Sequence, residues 1–591
     1  MKYDYFNEQV TIIQNQIKQL ETKSFKISML RLVFGVAIII FILISYFRQV
    51  MIFFYLSLLL LIGFIILVVY YNRLMKLLNY HQARLVVLQR YLARFNQDWN
   101  QFAETGKDLF LVNDGIVKDL DLAGNNSLFQ YLNTALTTFG KKRLAAKLTR
   151  RDLNYQLLLD EQAAVKELSD KLDFVLEVET VANTVLEYQR SERAINDFIR
   201  LTTDYQNKNH QVWLGYLFPI IAIIALLSFC FNLETRFSLL IFGVLFLGQL
   251  IGSLVNLMRH QAIFDCVSKL SSSLSYYLQV CHLVVETDFK ANHLLKIKKM
   301  LSEAYQQLKQ LEIISNMIKQ RSNLLAFLLL NGLLSWDYHC CCRLDNWLQT
   351  NVNMSKWLNQ IGELESLISL QTLYQVKDDV TMPTLLDESK PILSFRELKH
   401  PLLLEKTAVA NSFTMESQVA IITGSNMSGK TTFLRTVGIN LVLSYAGGPV
   451  IAKDFSCSLM EIFTSMRIED DIQGISTFYG ELLRIKEMVK ANQSQRIMIA
   501  LIDEIFKGTN SADRIIGALE TVKRLSSSNI FTLITTHDFE LCDLENEVSC
   551  KNYHFEEYYQ DNQIKFDYLI KPGRSQTTNA QFLLKMVGII E

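Results

Sequence analysis

The chain has 591 residues, half of them hydrophobic, with only six prolines and a positive mean hydropathy. That length exceeds one ordinary domain and suggests about three or four units, while the composition excludes a largely disordered chain and favours long uninterrupted helices. Lysine plus arginine (59) equals aspartate plus glutamate (59), so the chain has no global basic field to gather nucleic acid by counterion release.

The first elements are two uncharged apolar runs, residues 32–47 (LVFGVAIIIFILISYF) and 50–71 (VMIFFYLSLLLLIGFIILVVYY), separated by Arg48 and Gln49. Each approaches the roughly 20 residues a helix needs to cross the hydrocarbon core, so together they predict a transmembrane hairpin. Lys18, Lys23, Lys26 and Arg31 precede it and Arg73, Lys76, Arg84, Arg90 and Arg94 follow, whereas the turn holds only Arg48. The positive-inside rule then places both ends in the cytoplasm, at the cell membrane. No cleaved signal peptide is expected, because the first apolar run starts late and a second follows at once.

A second pair, residues 212–231 and 237–258, is split by the polar turn NLETR and predicts a second hairpin. Pro219 and Gln249 within it are tolerable where neighbouring helices satisfy the freed polar groups. Residues 79–99 and 296–321 carry apolar side chains at three- and four-residue spacing and predict long amphipathic helices of a lever type. Lys296, Lys298 and Lys299 read as a solvated helix face, with anionic lipid or nucleic acid as the alternative. Of the nine cysteines, Cys340, Cys341 and Cys342 are adjacent. Helical neighbours point about 100° apart, so these read as buried thiols and not as a metal cage.

The stretch TGSNMSGKTT (residues 423–432) satisfies the phosphate-loop pattern G-x-x-x-x-G-K-[ST] through Gly424, Gly429, Lys430 and Thr431. A strand-like VAIIT precedes it and a helix-like TFLRTVGINLVL follows, the context the pattern requires. Backbone N–H groups of Gly424, Ser425, Asn426, Met427, Ser428, Gly429 and Thr432 would close around the phosphates of ATP. Lys430 would neutralise its β/γ oxygens, and the Thr431 hydroxyl would ligate Mg²⁺. About 70 residues on, an apolar run ends in Asp503 and Glu504. Asp503 is placed to hold Mg²⁺ through water and Glu504 to orient the attacking water. A third apolar run ends in His537, placed to sense the γ-phosphate. Between them Asp470 and Asp471 precede QGIST, where Ser476 and Thr477 suit either helix capping or a hydrogen bond to phosphate.

Taken together these stretches resemble the MutS family of ATPases. TGSNMSGKTT is similar to its TGPNMGGKST, MRIEDDIQGISTF to R-x-G-x-x-D-D-L-x-x-G-x-S-T-F, LIDEIFKGTNSADR to L-x-D-E-x-G-R-G-T-S-T-x-D-G, and TLITTHDFEL to T-L-F-A-T-H-Y-x-E-L. Residues 398–413 look like the family's approach to the loop, and residues 119–150 like the start of its helical core. The resemblance implies an α/β P-loop NTPase domain over 391–591. It also implies a helical lever and core domain over 111–390 that the second membrane hairpin interrupts; the first hairpin and a linking helix occupy 1–110.

It further implies a homodimer with composite sites, in which Lys430, Thr431, Asp503, Glu504 and His537 act in one subunit and Ser476 reaches in from the other. DNA would be a partner by resemblance alone. The chain departs from the family in showing no mismatch-reading domain or F-x-E wedge before Asp119, and in placing Ala408 and Val409 where an aromatic adjoins the adenine. The expected function is a membrane-anchored MutS-type ATPase acting on DNA or on an unidentified protein or membrane partner. A transporter ATPase and a nucleotide-binding scaffold are the competing readings. The absence of an L-S-G-G-Q signature counts against the first, and the Asp503–Glu504 pair against the second.

Overall fold

The computed structural model describes residues 2–575 except 112–113, 185–194, 196, 201–213, 231–234, 321–322, 351–352, 468–476, 494–495, 507–510, 527–528 and 561–562. Helices α1 (Lys2–Arg48) and α2 (Met51–Asn96) form a hairpin that turns at Gln49 (φ 52°) and Val50. Both apolar runs lie at the hairpin tip, and both helices are long and apolar enough to cross a membrane. The expected run boundaries fall inside much longer helices. The base of α1 is core: Phe6 stacks on Tyr91 at 4.8 Å, and Lys2 Nζ donates to the Lys377 carbonyl at 2.5 Å. Buried Arg94 at the foot of α2 donates to the carbonyls of Tyr131 (2.7 Å) and Asn133 (3.2 Å), which fixes the hairpin's exit.

The helical core continues through α3 (Gly115–Asp119), α4 (Leu128–Leu132), α5 (Thr138–Leu148), α6 (Tyr155–Asp170) and α7 (Leu172–Asn183). Asp114, Ser127, Thr137 and Asn154 cap α3 to α6 by accepting from N–H groups of the first turn. The second apolar pair is α8 (Leu214–Cys230), with Pro219 inside, and α9 (Thr235–Glu286); their turn lies outside the described residues. Among the described residues the apolar stretch of α8 is Gly215–Phe229, and Phe237–Val255 of α9 is long enough to cross. No breaker stops α9 at Met258, and it runs on into the core, where α10 (Asn292–Gln320) packs back against it.

Three further helices follow: α11 (Leu324–Leu334), α12 (Trp336–Leu348), bent from α11 by 79°, and α13 (Met354–Val376). Apolar α11 was not expected from the sequence. Cys340, Cys341 and Cys342 are buried on α12, as expected. Lys296 and Lys299 lie on the exposed face of α10, with Lys296 paired to Asp160 at 3.2 Å. Among the described residues, Glu161, His293 and Glu363 come within metal-ligand reach of one another, but Lys147 Nζ already lies 2.5 Å from Glu161 and 2.8 Å from Glu363. That cluster is a buried ion-pair network joining α5, α6, α10 and α13.

The carboxyl-terminal part is α/β. Strands β1 (Val380–Thr381) and β6 (Val450–Ile451) pair, and a four-stranded sheet runs in the order β2 (Thr384–Leu386), β7 (Asp454–Ser458), β3 (Leu393–Leu398), β4 (Asn411–Thr414). The main sheet has the order β12-β11-β5-β10-β9-β8, with β5 (Val419–Thr423), β8 (Glu461–Ser465), β9 (Met498–Asp503), β10 (Ile530–Thr535), β11 (Cys550–Gln560) and β12 (Gln563–Pro572). All neighbours are parallel except β11 and β12. Ile422, Leu501 and Leu533 face the large core shared with the helical domain, whereas Ile421, Ile502 and Ile534 face a second core beneath α15 (Thr477–Gln493) and α16 (Ser511–Leu525). Burial on both faces explains the unbroken apolar runs of these strands.

Candidate functional site

Strands β5, β10 and β9 are neighbours in parallel register, with Thr535 opposite both Ile422 and Asp503. Their carboxyl ends therefore bring residues far apart in sequence to one edge, where α/β sheets bind ligands. From β5 the chain passes through residues 424–429 into α14 (Lys430–Tyr445), so the loop caps a helix N-terminus suited to anions. A Cβ at Gly424 would lie 2.8 Å from the Phe555 carbonyl oxygen and 2.9 Å from Ser428 Oγ, and Gly429 has φ 105°. Only glycine fits both positions.

Lys430 curls back over the loop, donating to the carbonyls of Gly424 and Ser425 at 2.8 Å each. Thr431 Oγ1 donates to both carboxylate oxygens of Asp503 at 3.0 Å, and Thr535 Oγ1 donates to Asp503 Oδ1 at 2.6 Å. Glu504 adopts φ 54° and Phe506 φ 61°, uncommon for non-glycine residues. The Glu504 amide is held by the Thr535 carbonyl at 3.1 Å and that of Phe506 by Glu481 Oε1 at 2.5 Å. This turn aims Glu504 Oε1 at His537 Nε2, 3.0 Å away, and His537 Nε2 lies 3.5 Å from Lys430 Nζ.

Every expected site residue except Ser476 thus falls on this edge. Asn426 and Met427 form the exposed tip of the loop, and Thr432 faces a cavity beside it. Ser476, with Asp470 and Asp471, lies outside the described residues.

The donor set fits a magnesium nucleotide. Thr431 and buried Asp503 present hard oxygen ligands beside a helix N-terminus. The Ser428 hydroxyl is buried in the loop with no hydrogen-bond partner, an orphan polar atom of the kind a ligand oxygen satisfies.

Several contributing residues were not singled out from the sequence. Arg514 on α16 grips Asp538, next to His537, through two bonds of 3.0 and 2.6 Å. Both residues stood inside the quoted motifs without a role. Glu557 on β11 accepts a hydrogen bond from the Ser425 hydroxyl, and Tyr568 on β12 stands over Gly429. No local signal marks either residue. Asn411 fixes this part of β12, donating to the Tyr568 carbonyl at 2.9 Å and accepting from the Ile570 amide at 2.8 Å.

Tyr568, Val409, His400 and Phe433 line a cavity of about 320 Å³ next to the glycine-rich loop. Burial pushes the His400 imidazole down to about 4, so the lining is neutral at physiological pH.

Residues 420–589, which carry most of this parallel sheet with its glycine-rich loop, Asp-Glu strand end and histidine strand end, match the family model for MutS domain V. In this part the chain is similar to the MutS family. It is 34% identical over 207 residues to the DNA mismatch repair protein MutS of Aquifex pyrophilus, a match covering 34% of this chain and 24% of that protein. It is 32% identical over 246 residues to the MutS of Persephonella marina, covering 40% and 28%. It is 31% identical over 258 residues to MutS protein homolog 4 of Mus musculus, covering 39% and 26%. The chain therefore matches about a quarter of the length of each of these relatives.

Proposed function

We propose that this protein is a membrane-anchored ATPase that binds MgATP at a P-loop and hydrolyses it. The observation that carries the reading is the joint placement of Thr431 with Asp503 and of Glu504 with His537 beside the loop closed by Lys430. Thr431 and Asp503 would hold Mg²⁺, which supplies charge neutralisation on the phosphates. Lys430 would exchange its loop carbonyls for phosphate oxygens. Glu504 would orient water and take its proton, with His537 fixing the carboxylate. The neutral cavity under Tyr568 suits a purine base and supplies the aromatic face that Val409 lacks. Ser476 of a second copy would complete each site in a homodimer.

Residues 1–110 and the α8–α9 pair would anchor the protein in the cytoplasmic membrane, with the ATPase domain over 391–591 in the cytoplasm. The relatives' names point to mismatched DNA as the target. The zero net charge and the bare apolar helices favour a second target, a membrane or protein partner.

The test is ATP hydrolysis by the detergent-solubilised full chain, with and without homoduplex, mismatched and branched DNA at stated salt. Glu504→Gln should retain nucleotide binding and lower turnover at least 100-fold, on the order expected of a lost catalytic base. Equal turnover in the variant would refute the assignment. Stimulation by a particular DNA structure would favour the DNA target, and indifference to every DNA would favour the membrane or protein partner.

A further inference from the structure

We propose that α11 is a third membrane-inserted element, a half-span seated against α8 and α9 with its leucine face in lipid. The proposal rests on reading α8 and α9 as membrane helices and deepens it. The sequence of α11, LLAFLLLNGLL, carries no charge. At about 1.5 Å per residue its length is roughly half the hydrocarbon thickness, too short to register as a span.

Its outer face is bare. Leu324, Leu325 and Leu329 are 73%, 70% and 57% exposed, and α11 packs on α9 and α8, where Leu247, Ile251, Leu254, Ile220 and Ile224 are exposed as well. The opposite face is fitted to α9: a Cβ added to Gly332 would come within 2.2 Å of the Phe246 ring, and Phe246 lies inside the apolar stretch Phe237–Val255.

The polar groups at this contact turn toward one another, although Gln249 Nε2 and Asn331 Nδ2 are buried without a partner among the described residues. Buried Asn331 accepts from Ser253 Oγ at 3.1 Å and from the Asp337 amide at 2.9 Å, and Ser335 Oγ donates to Gln249 Oε1 at 3.2 Å. Gln249 and Ser253 are two of the three polar residues of the α9 stretch, and Ser335 (φ 47°) is the residue at which the chain bends between α11 and α12. A backbone break at membrane depth is tolerated only where protein covers it, and here α9 supplies the cover. The occupant of the outer face is acyl chain, because this uncharged face belongs to a helix packed on α8 and α9, whose own apolar side chains are exposed in the same way. A water-facing surface or a second copy of the chain would not require the polar atoms of the bend to be turned inward against a membrane helix.

The test uses the full chain in phosphatidylcholine vesicles with plain or brominated acyl chains. Leu325→Cys and Leu329→Cys carry a bimane label, with Leu59→Cys on α2 as the lipid standard and Met300→Cys on α10 as the water standard. The unsubstituted chain, whose described cysteines are buried or half-buried, serves as the labelling blank. Brominated lipid should quench the 325 and 329 labels within two-fold of the 59 label and leave the 300 label unchanged. If 325 and 329 follow 300 while 59 is quenched, α11 is not in lipid and this inference falls while the anchor at the first hairpin stands. If 59 is not quenched either, the membrane reading falls and takes the inference with it.

Discussion

Asp119 is completely buried and accepts three hydrogen bonds, from the amides of Met466 (3.1 Å) and Arg467 (2.9 Å) and from Arg484 Nη1 (2.9 Å). It sits at the end of α3 in the helical core, whereas its donors belong to the exit of β8 and to α15. The substitution Asp119→Ala leaves two amides and a guanidinium facing a hole. Hydrogen bonds to a charged group are worth about 1.5–3 kcal/mol each, and breaking a buried ion pair from one side costs about 3–5 kcal/mol because the orphaned partner remains. Arg484 is only partly covered and can turn to water, so the lower half of that range, about 3–4 kcal/mol, is expected. For a domain of this size that corresponds to roughly 6–15 °C in Tm. The assay is thermal unfolding of the detergent-solubilised chain for Asp119→Ala, Arg484→Ala and the double variant. The double variant should lose less than the sum of the singles by about 1 kcal/mol or more, the signature of a direct contact. Additive losses, or a Tm within 2 °C of the unsubstituted chain for Asp119→Ala, would refute the role given to this carboxylate.

Two further outcomes are expected. Burial raises the Glu365 carboxyl to about 7, despite hydrogen bonds from Thr137 and Tyr276 that favour its charged form. A folded-state value above the unfolded one contributes stability that is complete below about pH 4.5 and is lost as pH rises through about 7, up to about 3 kcal/mol. The Tm of Glu365→Gln should therefore gain on that of the unsubstituted chain between pH 5 and pH 8; a gap independent of pH would contradict this. Tyr568→Ala should weaken ATP binding about 10-fold, from the 1–3 kcal/mol of base stacking, while leaving inorganic triphosphate binding unchanged. An equal loss for both ligands, read by isothermal titration, would remove Tyr568 from the base site.

The sheet edge was legible because each part of it is local in sequence: an apolar strand, then the residues at its carboxyl end. Thr423, Asp503 and Thr535 each end a run buried on both faces, and parallel register brings those ends together. Tyr568 and Glu557 were not legible, since β11 and β12 reach the loop through tertiary pairing and carry no motif. Helix α11 escaped because an 11-residue helix is about half of what a span requires, and its partner residues, Gln249 and Ser253, lie about 80 positions away. The full length of α9 was not legible for a different reason. An apolar helix that runs on into an amphipathic core helix changes its pattern without any glycine or proline to mark the change.

The unbroken course of α1 has a mechanical consequence. This helix starts with Lys2 on the Lys377 carbonyl, at the end of α13 where the helical core hands over to the nucleotide domain, and continues without a break to Arg48. At 1.5 Å per residue it is a rod of about 70 Å. A rotation of about 5° at the Lys377 end displaces the far tip by roughly 6 Å, more than one helical turn. Any change in the seat of the carboxyl-terminal domain is thereby magnified at the apolar tip, and, if that tip lies in a bilayer as proposed, a displacement there is returned to Lys377 reduced by the same ratio.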